Sequence, residues 1–460
     1  MKEEERGEEI PLDLPLRVVL VGAGHANLLL LRSLWQQRKQ VGAVDVVLVS
    51  DSRETMYTGM VPGAVAGLTA SQAASFCLPS LCQKYDACFI EASFQRLILS
   101  PNRHAVVLHR ISSCSSSSSF SSSFITLAFD IVVINVGSSL RGFQEIPGAS
   151  RFALPTRPAV RLLDGLKAWG DNQKESTREW HLGVVGGGFA GVELAWCLHS
   201  RFASQHPASV TLYDSSPHLL AGESWQLQKV ARAVCLEKGI RVENNAVVTE
   251  VADSHLLLAD GRRFHCGLAV WATGPASPHC LKSFPRHALD EIGFLKVEMS
   301  LQLPGCVHVL AAGDCASHPE RLAKSGVHSV RQATVLSSSL TRLLQSATTD
   351  RKREKYQEKE QLWISRVATS EKPAVVQEYH GRRWHLALLA VGDGTAVARW
   401  GPFAYRGPMM WRLKQRIDSS YVDSLSDGNE SSTSCRCSPL LLLLGCVLIL
   451  VLFGFLQMER

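Results

Sequence analysis

Two glycine clusters hold the residue types that can do chemistry in this chain. One is Gly22-Ala23-Gly24-His25, directly after the apolar run Val18–Val21. The other is Gly186-x-Gly188-x-x-Gly191, after Leu182–Val185, and it continues into Val192 and Glu193. In such a turn the first glycine permits the tight bend, and the second lets the backbone approach a pyrophosphate. The pyrophosphate then sits on the N-terminus of the next helix. Gly191 further lets that helix pack close to its strand, whereas Asn27 stands where the first cluster would have its third glycine. The chemistry implied is dinucleotide binding, performed twice.

Acidic residues at the ends of neighbouring strands refine this. The strand Val210–Tyr213 ends at Asp214, which can accept hydrogen bonds from an adenosine ribose. A 2′-phosphate there would meet a negative charge, and no arginine follows immediately, so NADH is expected in preference to NADPH. In the first unit Asp51 follows Ser50 at the end of Val44–Ser50 and is the corresponding candidate. Asp314, in "AAGDCA", reads by itself as a surface-turn aspartate; in the company of the first cradle it could accept from the ribityl chain of a flavin. Each cradle is followed by a strand ending in a glycine turn, at Gly137 and at Gly274. Two cradles with two such strands imply two nucleotides meeting: a resident FAD and a mobile NADH, with hydride passing from one to the other.

These turns need apolar strands and amphipathic helices behind them, and the composition supplies both. The 460 residues are 46% hydrophobic, enough for two or three domains with real cores. The expected fold class is α/β, with two Rossmann-like, doubly wound, three-layer nucleotide-binding domains. A small α+β C-terminal region and a C-terminal transmembrane helix complete it. The expected division is an FAD-binding domain from 16–155 and 288–345, and an NAD(H)-binding domain at 156–287. The α+β region at 346–420, a polar linker at 421–438 and a membrane span at 439–457 follow. A helix over Leu440–Leu456 would be about 26 Å long, just enough for a thin bilayer. The expected state is tail-anchored, with the catalytic domains cytosolic, at the endoplasmic reticulum or the outer mitochondrial membrane. The "SSCSSSSSFSSS" stretch reads as a flexible hairpin loop. The formal charge of +6 is modest for this length, so nucleic acid is not an expected partner. The 13 cysteines show neither CxxC pairs nor zinc-ligand spacing, so no metal is expected.

In order along the chain, "VGAGHA", "FDIVVINVGSS", "GVVGGGFAGVELA", "VWATGPASP" and "VHVLAAGDCAS" resemble the pyridine nucleotide-disulfide oxidoreductase superfamily. The resemblance covers nearly all of Arg17–Leu425. The stretches "GHAN", "DSRETMYTGMVPGAVAG" and "LLAVGDGTAVARWGPFAYRGPMMWRLKQRID" are most similar to the NADH dehydrogenase-like flavoproteins that occur fused to selenide, water dikinase. The resemblance implies FAD contacts at Gly22, Gly24, Gly313 and Asp314, and NADH contacts at Gly186, Gly188 and Gly191. It also puts Arg331 and Gln332 near the flavin ring, and Glu193 near the nicotinamide and the flavin. From the residues alone Glu193 reads equally well as a carboxylate offsetting the helix dipole.

The disulfide-dependent relatives carry CxxxxC on the helix entering the flavin site. Here "ETMYTGMVPGAVAG" holds no cysteine, and Cys77 and Cys82 lie later and read as buried thiols. Reduced flavin then needs another outlet. The apolar tail and the basic, amphipathic "WRLKQRID" point to a membrane and a quinone acceptor. The expected activity is that of an FAD-dependent NADH:quinone oxidoreductase of the type II kind. A reductase of a soluble redox protein and a membrane-tethered NADH-sensing flavoprotein with little turnover stay open, as does a homodimer.

Overall fold

The computed structural model describes residues 15–100, 104–111, 124–173, 179–203, 206–360, 376–382 and 384–426, with backbone alone for 350–360. The serine-rich stretch, residues 427–438 of the linker and the apolar tail at 439–457 lie outside them. The chain divides into two compact units. One comprises Met1–Thr55, Cys77–Ser138 and Ser277–Gly381; the other comprises Met56–Phe76, Ser139–Ala276 and Arg382–Arg460.

In the first unit an eight-stranded sheet is built around Leu16–Val21. Val44–Ser50 pairs parallel on one side of it and Ile131–Ile134 parallel on the other, with Cys306–Ala311 beyond the latter. Val18, Val19, Leu20 and Val21 are at most 1% exposed, as expected of a central parallel strand covered on both faces. The helix His25–Gln36 follows the first turn, buries Leu28, Leu30, Leu31 and Leu34, and packs on the helix Gly326–Glu360. Cys88–Leu99 is one long strand. It pairs parallel with Val44–Ser50 up to Glu91 and antiparallel with His104–Arg110 from Ala92. No glycine or proline interrupts it, so nothing ends the extended backbone.

The second unit repeats the plan. Five parallel strands run in the order Ala153–Pro155, Leu268–Trp271, Trp180–Val185, Ala208–Tyr213, Arg241–Glu243. The helix Phe189–Phe202 follows the second glycine turn and is buried along most of its length, with Trp196 fully enclosed. A small antiparallel sheet of Leu386–Ala390, Ala396–Trp400 and Phe403–Gly407 precedes the helix Pro408–Ser426.

That last helix corrects one expectation. Its buried stripe is Met410, Trp411, Lys414, Asp418, Tyr421 and Leu425, and it packs on the small sheet. The amphipathic face serves the protein core instead of a bilayer. The helix also continues through Ser426, into residues the sequence reads as linker. Among the described residues no helix is long and apolar enough to cross a membrane.

Trp196 is enclosed on all sides and its indole N–H points at the Cys235 sulfur, 3.3 Å away. Trp196→Ala should lower unfolding stability by about 3–5 kcal/mol in urea titrations.

Candidate dinucleotide-binding sites

In the first unit the turn lies where the strand order changes direction, between Leu16–Val21 and Ile131–Ile134. Gly22 has φ +90°, and a Cβ on it would stand 2.5 Å from the Asn135 carbonyl oxygen. In the second unit Gly186 has φ +121°, and a Cβ on it would stand 2.5 Å from the Ala272 carbonyl oxygen. The two turns are therefore closed by the same device, a backbone carbonyl from the adjacent parallel strand.

They differ one turn into the helix. A Cβ on Gly191 would lie 1.7 Å from the Gly186 oxygen, so only hydrogen fits. Asn27 occupies that place in the first cradle, fully buried, and its amide nitrogen reaches the Gly22 carbonyl at 2.8 Å and the Val21 carbonyl at 3.1 Å. Asn135, which the sequence reading passed over, completes the arrangement. Its Oδ1 accepts from the Ala26 and Asn27 backbone N–H groups at 3.1 and 3.3 Å, and its Nδ2 donates to the Ala312 carbonyl at 2.6 Å. Since Gly24 has no side chain to cap the helix, a residue 111 positions later does it (135 − 24). The signal was present: one asparagine ends the otherwise apolar strand "IVVIN".

The same cluster holds the turn that carries Asp314. Gly313 N–H donates to Gln332 Oε1 at 2.7 Å, and the Ser138 hydroxyl donates to Asp314 Oδ2 at 3.0 Å. Gln332 thus fixes the Asp314 turn. His25 opens the first helix, and burial pushes its imidazole down to about 4 against the opposing pull of Asp314, so it is neutral at pH 7. Ala23 offers its carbonyl to the Thr55 hydroxyl at 3.4 Å. Ser50 is buried at the strand end, while Asp51 is exposed just beyond it. Gly137 lies in the loop after Asn135 with φ +72°. An open glycine turn, a helix N-terminus and a held carboxylate suit the pyrophosphate and ribityl groups of FAD.

In the second unit Asp214 is 4% exposed. Its Oδ1 accepts from Ser216 N–H at 3.0 Å. Its Oδ2 is buried over Gly187 of the turn, without a well-formed hydrogen bond. Burial raises this carboxyl, and the Ser216 and Gly187 amides oppose the rise. A carboxylate held at the end of the second strand, beside the glycine turn, suits an adenosine ribose, so the residues present fit NADH. Gly188 precedes the first residue of the helix, and the Gly274 carbonyl accepts from Arg141 N–H at 2.9 Å. Glu193 accepts the Ala390 N–H at 2.6 Å, tying its helix to the small sheet. Desolvation pushes Glu193 up to about 7, with Lys414 pulling it down.

The thiols also differ from expectation. Cys82 is buried and pushed up to about 12, but Cys77 is exposed at the start of a short helix, its thiol lowered by the Ser80 hydroxyl. Cys315 is buried and points at the Ile134 and Ala312 carbonyls.

Two outcomes follow from these contacts. Asn135→Ala should release flavin and cost about 2–4 kcal/mol, because several buried groups lose their partner together; flavin fluorescence and thermal melting read both. Glu193 ionises less readily folded than unfolded, so its charge costs stability as pH rises from about 4.5, its ordinary value, through about 7. Glu193→Gln keeps an acceptor for Ala390 without the charge. Its melting temperature relative to wild type should climb across that interval and level off above it, a gain of roughly 1–3 kcal/mol.

Comparison with known proteins bears on the family and the fold. The potato mitochondrial external alternative NAD(P)H-ubiquinone oxidoreductase B1 is 22% identical over 351 residues, covering 69% of this chain and 58% of that protein. The chain thus spans less than two thirds of that relative's length. The sulfide:quinone oxidoreductase of Aquifex aeolicus superposes with a TM-score of 0.65 at 14% identity, covering 91% of this chain and 93% of that one. NDH2 of Plasmodium falciparum, solved with NADH, gives 0.62 at 14%, covering 89% and 97%. At such identity the structural likeness concerns the fold. The pyridine nucleotide-disulphide oxidoreductase family model matches residues 16–334. With two glycine turns closed in the same way and the strand orders that carry them, the chain belongs to the pyridine nucleotide-disulphide oxidoreductase family, whose members bind FAD and NAD(P)H.

Proposed function

We propose that the chain is an FAD-dependent NADH oxidoreductase that passes electrons to a quinone-like acceptor. The observation that carries the reading is the pair of cradles in one chain, each closed by a strand-end carbonyl on its first glycine, the second with the buried Asp214 beside its turn. Gly22, Ala23, Gly24, His25, Asn135 and Asp314 would hold FAD; Gly186, Gly188, Gly191 and Asp214 would hold NADH. FAD, when bound, supplies the two-electron chemistry. The net reaction consumes one proton: NADH, H⁺ and quinone give NAD⁺ and quinol.

The acceptor is argued from the thiols. The stretch Glu54–Gly67 holds no cysteine, and the pair at CxxxxC spacing has one exposed and one buried member. A dithiol outlet is therefore disfavoured, and the likeness to the potato NAD(P)H-ubiquinone oxidoreductase supports a quinone. The finer resemblance, to flavoproteins found fused to selenide, water dikinase, belongs to the same proposal. So does attachment to the cytosolic face of an organelle membrane, supported by the uncharged run Pro439–Gln457.

Purified in detergent, the protein should lose its flavin absorbance with anaerobic NADH and regain it with a short-chain quinone. Reoxidation only by an added redox protein would replace quinone with that partner. No bleaching at all would end the redox reading. Asp214→Ala should weaken NADH binding about tenfold and narrow the gap to NADPH.

A further inference from the structure

An exposed arginine is held at the edge of the second glycine turn. Arg141 follows the short strand Ser139–Leu140, which pairs antiparallel with Pro275–Ala276, so it stands opposite Gly274. Three hydrogen bonds fix its backbone. The Arg141 N–H donates to the Gly274 carbonyl at 2.9 Å. Its carbonyl accepts from the Thr273 hydroxyl at 2.7 Å and from the buried Trp271 indole at 3.0 Å. The side chain lies over Gly274, where a Cβ would stand 3.6 Å from Nη2 and 3.7 Å from Cζ. Among the described residues the guanidinium has neither a hydrogen bond nor an ion pair. A merely solvated arginine would need none of this anchoring.

Its neighbours are those of the turn. A Cβ on Gly186 would stand 3.0 Å from the Thr273 nitrogen, and Gly274 is the next residue along. The strands Trp180–Val185 and Leu268–Trp271 pair in parallel, so the Gly186 turn and the Ala272–Gly274 turn leave the sheet side by side. The strand order reverses between them, which is where an open sheet receives its ligand. Asp214 ends Ala208–Tyr213, the partner of Trp180–Val185 on its other edge. The turn is thus flanked by a carboxylate on one side and a guanidinium on the other. A dinucleotide with its adenosine ribose at Asp214 and its first phosphate on the turn carries its second phosphate toward Arg141. A guanidinium fork matches two phosphate oxygens in charge and in geometry.

We propose that Arg141 binds the second phosphate of the visiting dinucleotide, the one on the nicotinamide side. The inference rests on NADH binding at the second turn, as proposed above, and adds the residue that grips the diphosphate from the strand-end side.

The test is calorimetry on the full, FAD-loaded chain with NAD⁺, ADP and AMP, none of which reduces the flavin. Arg141→Gln should weaken NAD⁺ and ADP by about tenfold or more and leave AMP unchanged, because AMP has no second phosphate. Arg141→Lys, which keeps the charge without the fork, should recover part of the loss. Rising salt should weaken NAD⁺ binding more in wild type than in Arg141→Gln. The fixing bonds are made by the backbone and by other side chains, so both variants should melt with wild type. Unchanged NAD⁺ affinity in Arg141→Gln overturns the inference, and so does a loss for AMP as large as that for ADP. Asp214→Ala, on the adenosine side, should weaken all three nucleotides alike. That result beside an unchanged Arg141→Gln sinks this inference alone, whereas wild type that binds none of the three sinks the NADH reading and this inference with it.

Discussion

A carbonyl oxygen pressed against a glycine is the contact on which both halves of this molecule depend. In each of the two large sheets a parallel strand beside the first one ends with its backbone lying on the first glycine of the turn, Asn135 on Gly22 and Ala272 on Gly186. A side chain at either glycine would have to occupy the space of that carbonyl. The contact brings the turn, the helix N-terminus and the following strand end to one place, which is the condition for a dinucleotide cradle.

The two cradles then solve the next problem in opposite ways. The second leaves out side chains: Gly191 lies against the turn with room only for hydrogen. The first fills the space with amides. Asn27 donates to the turn's carbonyls, Asn135 caps the helix and bonds to Ala312, and Gln332 holds Gly313. Such a network stiffens a site when its members are satisfied, because each amide fixes the orientation of the next.

Two carboxyls of the second unit are set by burial. Asp214 and Glu193 are both raised by desolvation, yet each accepts a backbone N–H that holds its position. The C-terminal helix contributes its lysine and aspartate to this interior instead of presenting them to a membrane surface. Its basic, amphipathic pattern was legible, but the pattern alone does not say which face is covered, or by what.

The sequence by itself determined what is local. An apolar strand, a glycine turn and a helix are neighbours in the chain, so Gly22, Gly24, Gly186, Gly188 and Gly191 could be placed from spacing. Asp214 could be found from its strand end. Tertiary structure alone decided what depends on residues far apart. Asn135 caps a helix more than a hundred positions earlier, Gln332 serves the Asp314 turn from the next helix, and Lys414 bonds to Gly59 across most of the chain. Periodicity reports that a side chain is covered; it does not report the partner. A hydrogen bond or a Coulombic shift exists only with that partner in place, and so the identity of Glu193 as an acid raised toward 7 appears only once the chain has closed around it.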